Sequence, residues 1–115
     1  MARALLTVQN VAPGGMWPTL TAANATGHMF ENSERGIFLF VRNAHTTPVT
    51  ITIPSTFARD GLALTNRTVV VPNGTDRLIG PISGENHNQL TGADIGRTFI
   101  DYSLVTAITV AVLRV

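Results

Sequence analysis

Gly36-Ile37-Phe38-Leu39-Phe40-Val41-Arg42-Asn43-Ala44-His45-Thr46-Thr47-Pro48-Val49-Thr50-Ile51-Thr52-Ile53 is the stretch that decides the fold. Its second half alternates strictly, with Val49, Ile51 and Ile53 on one side and Thr50 and Thr52 on the other. A period of two is the mark of a strand with one buried and one wetter face. The first half, Ile37 to Val41, is too short for an ordinary helix and rich in aromatic and branched residues. It reads as a strand covered on both faces. Asn43 to Pro48 then predicts the connection of a hairpin at the centre of an all-β core.

Working outward, the same grammar recurs. Arg67 to Pro81 reads as a second hairpin: Val69 and Val71 point inward, Pro72-Asn73-Gly74-Thr75 turns, and Leu78-Ile79 returns. Asn-Gly between apolar runs is a strong hairpin signal. Arg97 to Tyr102 and Ala107 to Val115 read as a third pair, with Ile108, Val110 and Val112 sharing a face. Gly27 to Glu31 is a further strand, ending at the turn Asn32 to Gly36. Pro54 to Asn66 is a loop with a turn at Asp60-Gly61 and at most one loose turn of helix. Ser83 to Gly96 is a polar, Gly- and Asn-rich loop, about as long as ordered loops become, and so a candidate contact region. Sixteen Thr and eleven Val suit strands.

Residues 1–25 differ from the rest. Ala4 to Val8 makes a short strand, Pro13-Gly14-Gly15 is a break, and Thr19 to Thr26 is small and polar. The reading is an N-terminal extended arm or strand over 1–25 and a single sandwich domain over 26–115. With seven or eight strands in all, the fold class expected is all-β: an antiparallel β-sandwich of jelly-roll or Greek-key type.

Composition narrows the function. The 115 residues fit one domain. The chain has no Cys, which excludes disulfides and thiolate chemistry. Ala4-Leu5-Leu6 is too short an apolar run for a signal peptide, and Ser103 to Leu113 too short to span a membrane. A net charge of +1 gives no electrostatic case for nucleic acid or anionic lipid. Charged residues make up 13% of the chain, against roughly 25% in ordinary globular proteins. Depletion of charge characterises the centres of protein–protein interfaces. All eight basic residues are Arg. That suits interfacial pairing, and a GC-rich genome gives the same bias.

No catalytic constellation emerges, and no enzyme activity, cofactor or metal site is expected. His28, His45 and His87 stand at no metal-ligand spacing; His45 and His87 lie in polar segments and are expected to be solvated. Ser103, His87 and Asp101 can be written as a triad, but no nucleophile-elbow sequence accompanies them. Asp94 does not sit in a calcium loop. Asn24, Asn66 and Asn73 each begin an Asn-x-Thr sequon, which a Thr- and Asn-rich chain produces by chance. Met16, Trp17 and Pro18 are the candidate interface residues. Trp17, the only Trp, is either a plug closing one end of the core or an interface anchor.

Val69 to Pro81 (VVVPNGTDRLIGP) and Asp101 to Val115 (DYSLVTAITVAVLRV), with the central Phe38 to Ile53 (FLFVRNAHTTPVTITI), resemble the small head decoration, or cement, proteins of tailed bacteriophages. The resemblance spans about Met29 to Val115 and lies in texture and segment order. It implies a virion structural protein on the capsid exterior, a homo-oligomer (commonly a trimer) whose partner is the major capsid protein. No contact residue carries over, and residues 1–28 lie outside it. The alternatives are a carbohydrate-binding β-sandwich module, which would need clustered exposed aromatics, and a phage neck or tail component.

Overall fold

The computed structural model describes residues 3–32 and 36–114; of the turn expected at Asn32 to Gly36, the central three residues lie outside these. The elements are β1 (Ala4–Leu6), β2 (Val8–Asn10), β3 (Thr21–Ala22), β4 (His28–Glu31), β5 (Ile37–Asn43), β6 (Val49–Ile53), β7 (Ala58–Arg59), β8 (Leu62–Ala63), β9 (Arg67–Val71), β10 (Asp76–Ile79), a single helical turn α1 (Gly84–His87), β11 (Arg97–Tyr102) and β12 (Ile108–Arg114). Two mixed five-stranded sheets pack together as a β-sandwich. One runs β1-β4-β11-β6-β9. The other runs β10-β5-β12-β2, with β3 also paired to β12.

The alternation read from the sequence sets the core. Val49, Ile51 and Ile53 of β6 are buried, as are Ile108, Val110 and Val112 of β12, Val71 of β9 and Ile79 of β10. They meet Phe30, Ile37, Leu39, Val41 and Ile100 in one apolar cluster. β5 alternates too: Ile37, Leu39, Val41 and Asn43 are buried, while Phe38, Phe40 and Arg42 are half-buried. It is therefore not covered equally on both faces, as its apolar run suggested.

All three expected hairpins are instead corners between sheets. β5, β10 and β12 lie in the second sheet, while β6, β9 and β11 lie in the first. Thus β6 pairs with β9 (Ile51 opposite Val69) and β5 with β12 (Val41 opposite Val110). Two strands joined by a turn carry the same apolar pattern whether they pair side by side or face each other across a core. The turn at Asn73-Gly74 is real, with Gly74 at φ +72°, but its two arms part into different sheets.

These corners meet at Asn43, which is 1% exposed. Its Nδ2 donates to the Thr47 and Val71 carbonyls at 3.0 Å each, and its Oδ1 accepts from the His45 N–H at 2.8 Å. Its main-chain oxygen accepts from the Gly74 N–H, and the next residue, Ala44, donates to the Ala107 carbonyl. One buried amide thus ties the β5–β6 and β9–β10 corners together beside the β11–β12 corner.

The expectation of purely antiparallel sheets is corrected by the N-terminal segment. β1 runs parallel to β4, with Ala4 opposite His28, and β2 runs parallel to β12, with Val8 opposite Val112. Only Thr7 separates them, so the chain steps from one sheet's edge to the other's without reversing. Leu6 joins the core at 6% exposure. The Arg3 guanidinium fastens this edge, bonding the Ile100 carbonyl at 3.0 Å and Asp101 at 2.6 Å over the Phe99 ring. The loop 54–66 holds a small hairpin, β7 with β8, rather than a helical turn. Asp60 and Gly61, both at positive φ, form its tip.

Candidate interface on the outer face of the second sheet

Trp17 is 69% exposed and so is no core plug. It lies against the outer face of the second sheet, where Phe40 projects away from the core. The two rings meet edge to face, with centroids 6.5 Å apart and planes at 71°. The Arg42 guanidinium sits 5.5 Å from the indole centroid and 5.9 Å from the Phe40 ring. Arg42 is itself held in a two-point pair with Asp76, at 3.2 and 3.3 Å. The approach to this position is also fixed: Gln9 and Thr19 exchange a reciprocal pair of hydrogen bonds at 2.9 Å, side chain to backbone. β3 then pairs Thr21 with Val110 and Ala22 with Thr109.

An indole is thus held in place while most of its surface stays in water. An edge-to-face ring pair contributes about 0.5–1.5 kcal/mol, and an exposed cation–π contact about 0.5–1 kcal/mol. These contacts orient the ring without hiding it. The register places Leu78 opposite Phe40 on the same face, and Leu78 is 57% exposed. Met16 and Pro18 flank the indole half-buried. The β10 side of this face therefore offers a fixed aromatic, an exposed aliphatic and an ion pair already made. That composition suits contact with another protein surface.

The other expected residues scatter. His87 is buried at 7% exposure rather than solvated; its Nδ1–H donates to the Pro54 carbonyl at 3.0 Å. His45 is half-buried at the β5–β6 corner, with Nδ1 accepting from the Thr47 N–H. Ser103 Oγ accepts from the Thr50 N–H, Asp101 pairs with Arg3, and His87 faces Pro54, so the written triad is not brought together. Of the sequon residues, Asn24 is tied into a turn by the Thr26 N–H and Asn66 Oδ1 accepts from the Ser55 N–H. Among the described residues no group of three His, Asp or Glu could hold a metal ion.

Two features were missed in the sequence. His28, 1% exposed, forms a 2.7 Å hydrogen bond through Nδ1 with the Tyr102 hydroxyl inside the sandwich. Burial lowers the His28 pKa from its ordinary value and raises that of Tyr102. A His and a Tyr at strand positions of the same parity were the available signal. The loop 83–96 is bound down rather than free. Asn88 bonds Thr98 Oγ1 and the Asn32 carbonyl, and Arg97 ties Asp94 to Glu31. Its tip still exposes Leu90 and Ile95. No protein-family model, no curated protein and no solved structure matches the chain.

Proposed function

We propose that this chain is a virion structural protein of a tailed bacteriophage: a decoration, or cement, protein. In this reading it binds the outer surface of the assembled capsid as a homotrimer and stabilises contacts between capsomers. The observation that carries the reading is Trp17, oriented by Phe40 and Arg42 yet 69% exposed. Buried aromatics anchored in a partner's pocket dominate interface energies, and a ring fixed beforehand loses little freedom on binding. Low charge adds to this, as do exposed Leu5, Leu62, Leu78, Leu90 and Ile95. A capsid presents many identical sites, so modest contacts suffice when several linked copies engage together.

The strand order supports a jelly-roll form of the sandwich. Taken from β3 onward without the β7–β8 hairpin, eight strands give the orders β3-β12-β5-β10 and β4-β11-β6-β9. Successive strands alternate between sheets except at the β6–β9 step, as in two interlocked Greek keys. Fold alone carries no function, so the test addresses the surface. Empty capsids of the encoding phage should pellet the wild-type chain saturably. Trp17→Ala, a change at an exposed position, should bind at least ~30-fold more weakly, the loss expected of a hot spot worth about 2 kcal/mol. A chain that stays in the supernatant, or a Trp17→Ala variant that pellets as well as wild type, overturns the proposal. Quenching of Trp17 fluorescence by a saccharide, with no capsid binding, would point to the carbohydrate module instead.

A further inference from the structure

The two sheets leave an open side where their edge strands β9 and β10 lie next to each other. A cleft of about 380 Å³ opens there, within the range of sites that hold small groups. Its floor is apolar: Ile53 and Ile82 are buried and Val69 is partly so. Its polar residues are Arg67, Asn86, His87 and Ser83, and the Ser83 hydroxyl already accepts from the Asn86 N–H. A second cleft of about 340 Å³ shares Arg67, Asn86 and His87, so these stand on the divide between two openings.

Three observations set this place apart. Among the described residues Arg67 has no ion pair, side-chain hydrogen bond or ring contact, whereas Arg3, Arg42 and Arg97 each hold a carboxylate, Arg77 and Arg114 make side-chain hydrogen bonds, and Arg59 lies over Phe57. His87 is more than nine-tenths buried, and its Nδ1–H is committed to the Pro54 carbonyl. Its Nε2 has no hydrogen-bond partner among the described residues and is not closed off from the surface, and His87 lines both clefts. The Asn86 main-chain oxygen accepts from the Thr56 N–H, while its side-chain amide has no hydrogen-bond partner among the described residues.

We propose that this cleft binds a carboxylate carried next to an aliphatic group, as presented by an acidic, aliphatic segment of a partner polypeptide. The unpaired guanidinium supplies the complementary charge in a fork that matches a carboxylate. The aliphatic part covers Val69 and Ile82. The Asn86 amide and His87 Nε2 take the remaining polar atoms of the ligand, with Nε2 accepting from an N–H. The site lies on the side of the β9 and β10 edges and meets the Trp17 surface only at Leu78, and its occupancy does not depend on capsid binding.

The test is a titration of the full chain followed by amide and imidazole NMR, with N-acetyl-leucine as the probe. N-acetyl-leucinamide and inorganic phosphate serve as the neutral and non-aliphatic controls. The expected result is saturable shifts at His87, Asn86 and Arg67 with N-acetyl-leucine, and at least tenfold weaker binding of both controls. Arg67→Gln, at an exposed position, should leave the remaining spectrum unchanged and weaken the probe at least tenfold. Equal binding of the amide would remove the role of charge, and equal binding of phosphate would remove the aliphatic requirement. Shifts confined to other residues, no shifts at all, or an Arg67→Gln variant that binds like wild type would each overturn the proposal.

Discussion

Ile51 and Thr50 are adjacent in sequence and opposite in environment. Ile51 is fully buried between the sheets, while Thr50 points to the outer face of the first sheet, half-covered. Ile51→Asp puts a carboxylate among apolar side chains without a partner. The cost of several kcal/mol compares with a total stability of roughly 5–15 kcal/mol. Thermal melts should therefore show Ile51→Asp unfolded or nearly so, and Thr50→Asp losing only about 1 kcal/mol, the typical effect of a single change. Equal losses would contradict the burial assignment. His28 yields a pH prediction of definite sign. Its folded pKa lies below the ordinary 6.5 because burial disfavours the imidazolium, so the unfolded chain takes up the proton more readily. The associated stability is full above 6.5 and is lost as pH falls from there through the lowered folded value. The melting temperature should drop between pH 7 and pH 5, and His28→Gln should flatten that drop even if it lowers the melting temperature throughout. An unchanged slope would mean that His28 contributes nothing to it. Trp17 shows what a single residue's sequence context leaves open. Between Met16 and Pro18 it reads as a core plug somewhat more readily than as an anchor, and the exposed ring reverses that: no periodicity on either side says which way the ring points.

At the scale of elements, the alternation in β5, β6, β9 and β12 was legible, and with it most of the core. What the alternation does not contain is the partner of each strand. Val49 to Ile53 presents the same buried face whether its neighbour is β5 or β9, so corners read as hairpins. The deciding information lies in groups such as Asn43, whose amide bonds the Thr47 and Val71 carbonyls across two corners. An Asn at a strand end looks like an ordinary turn residue. Asn43→Ala should leave the buried Val71 carbonyl without this partner, at about 1–3 kcal/mol for a group left unsatisfied, with a smaller loss at the part-buried Thr47 carbonyl and His45 N–H. A chemical denaturation midpoint equal to that of wild type would show that the corners hold without it. The N-terminal strands were the least legible part, since three-residue strands offer too few positions for a period. Leu6 reaches the core only because β4 supplies a parallel neighbour from far along the chain.

For the whole molecule, the sandwich followed from many short apolar alternations separated by turns. The parallel edges and the candidate surfaces required the fold to place Trp17 over Phe40, and Arg67 beside His87. Composition gave a chain poor in charge without saying where the uncharged surface lies. The fold puts Trp17 and Leu78 on the outer face of the second sheet. If that face is an interface, purified protein examined by native mass spectrometry should appear as an oligomer, with a trimer expected, and a monodisperse monomer at high concentration would count against it. For the proposed capsid role, the most direct measurement is an electron cryomicroscopy map of virions of whichever phage carries the chain's gene, into which the sandwich is fitted. Trimeric density is expected outside the shell at the joints between capsomers, with Trp17 at a protein contact. Density only at the neck or tail, no density for the chain at all, or a fit with Trp17 facing solvent would contradict that role.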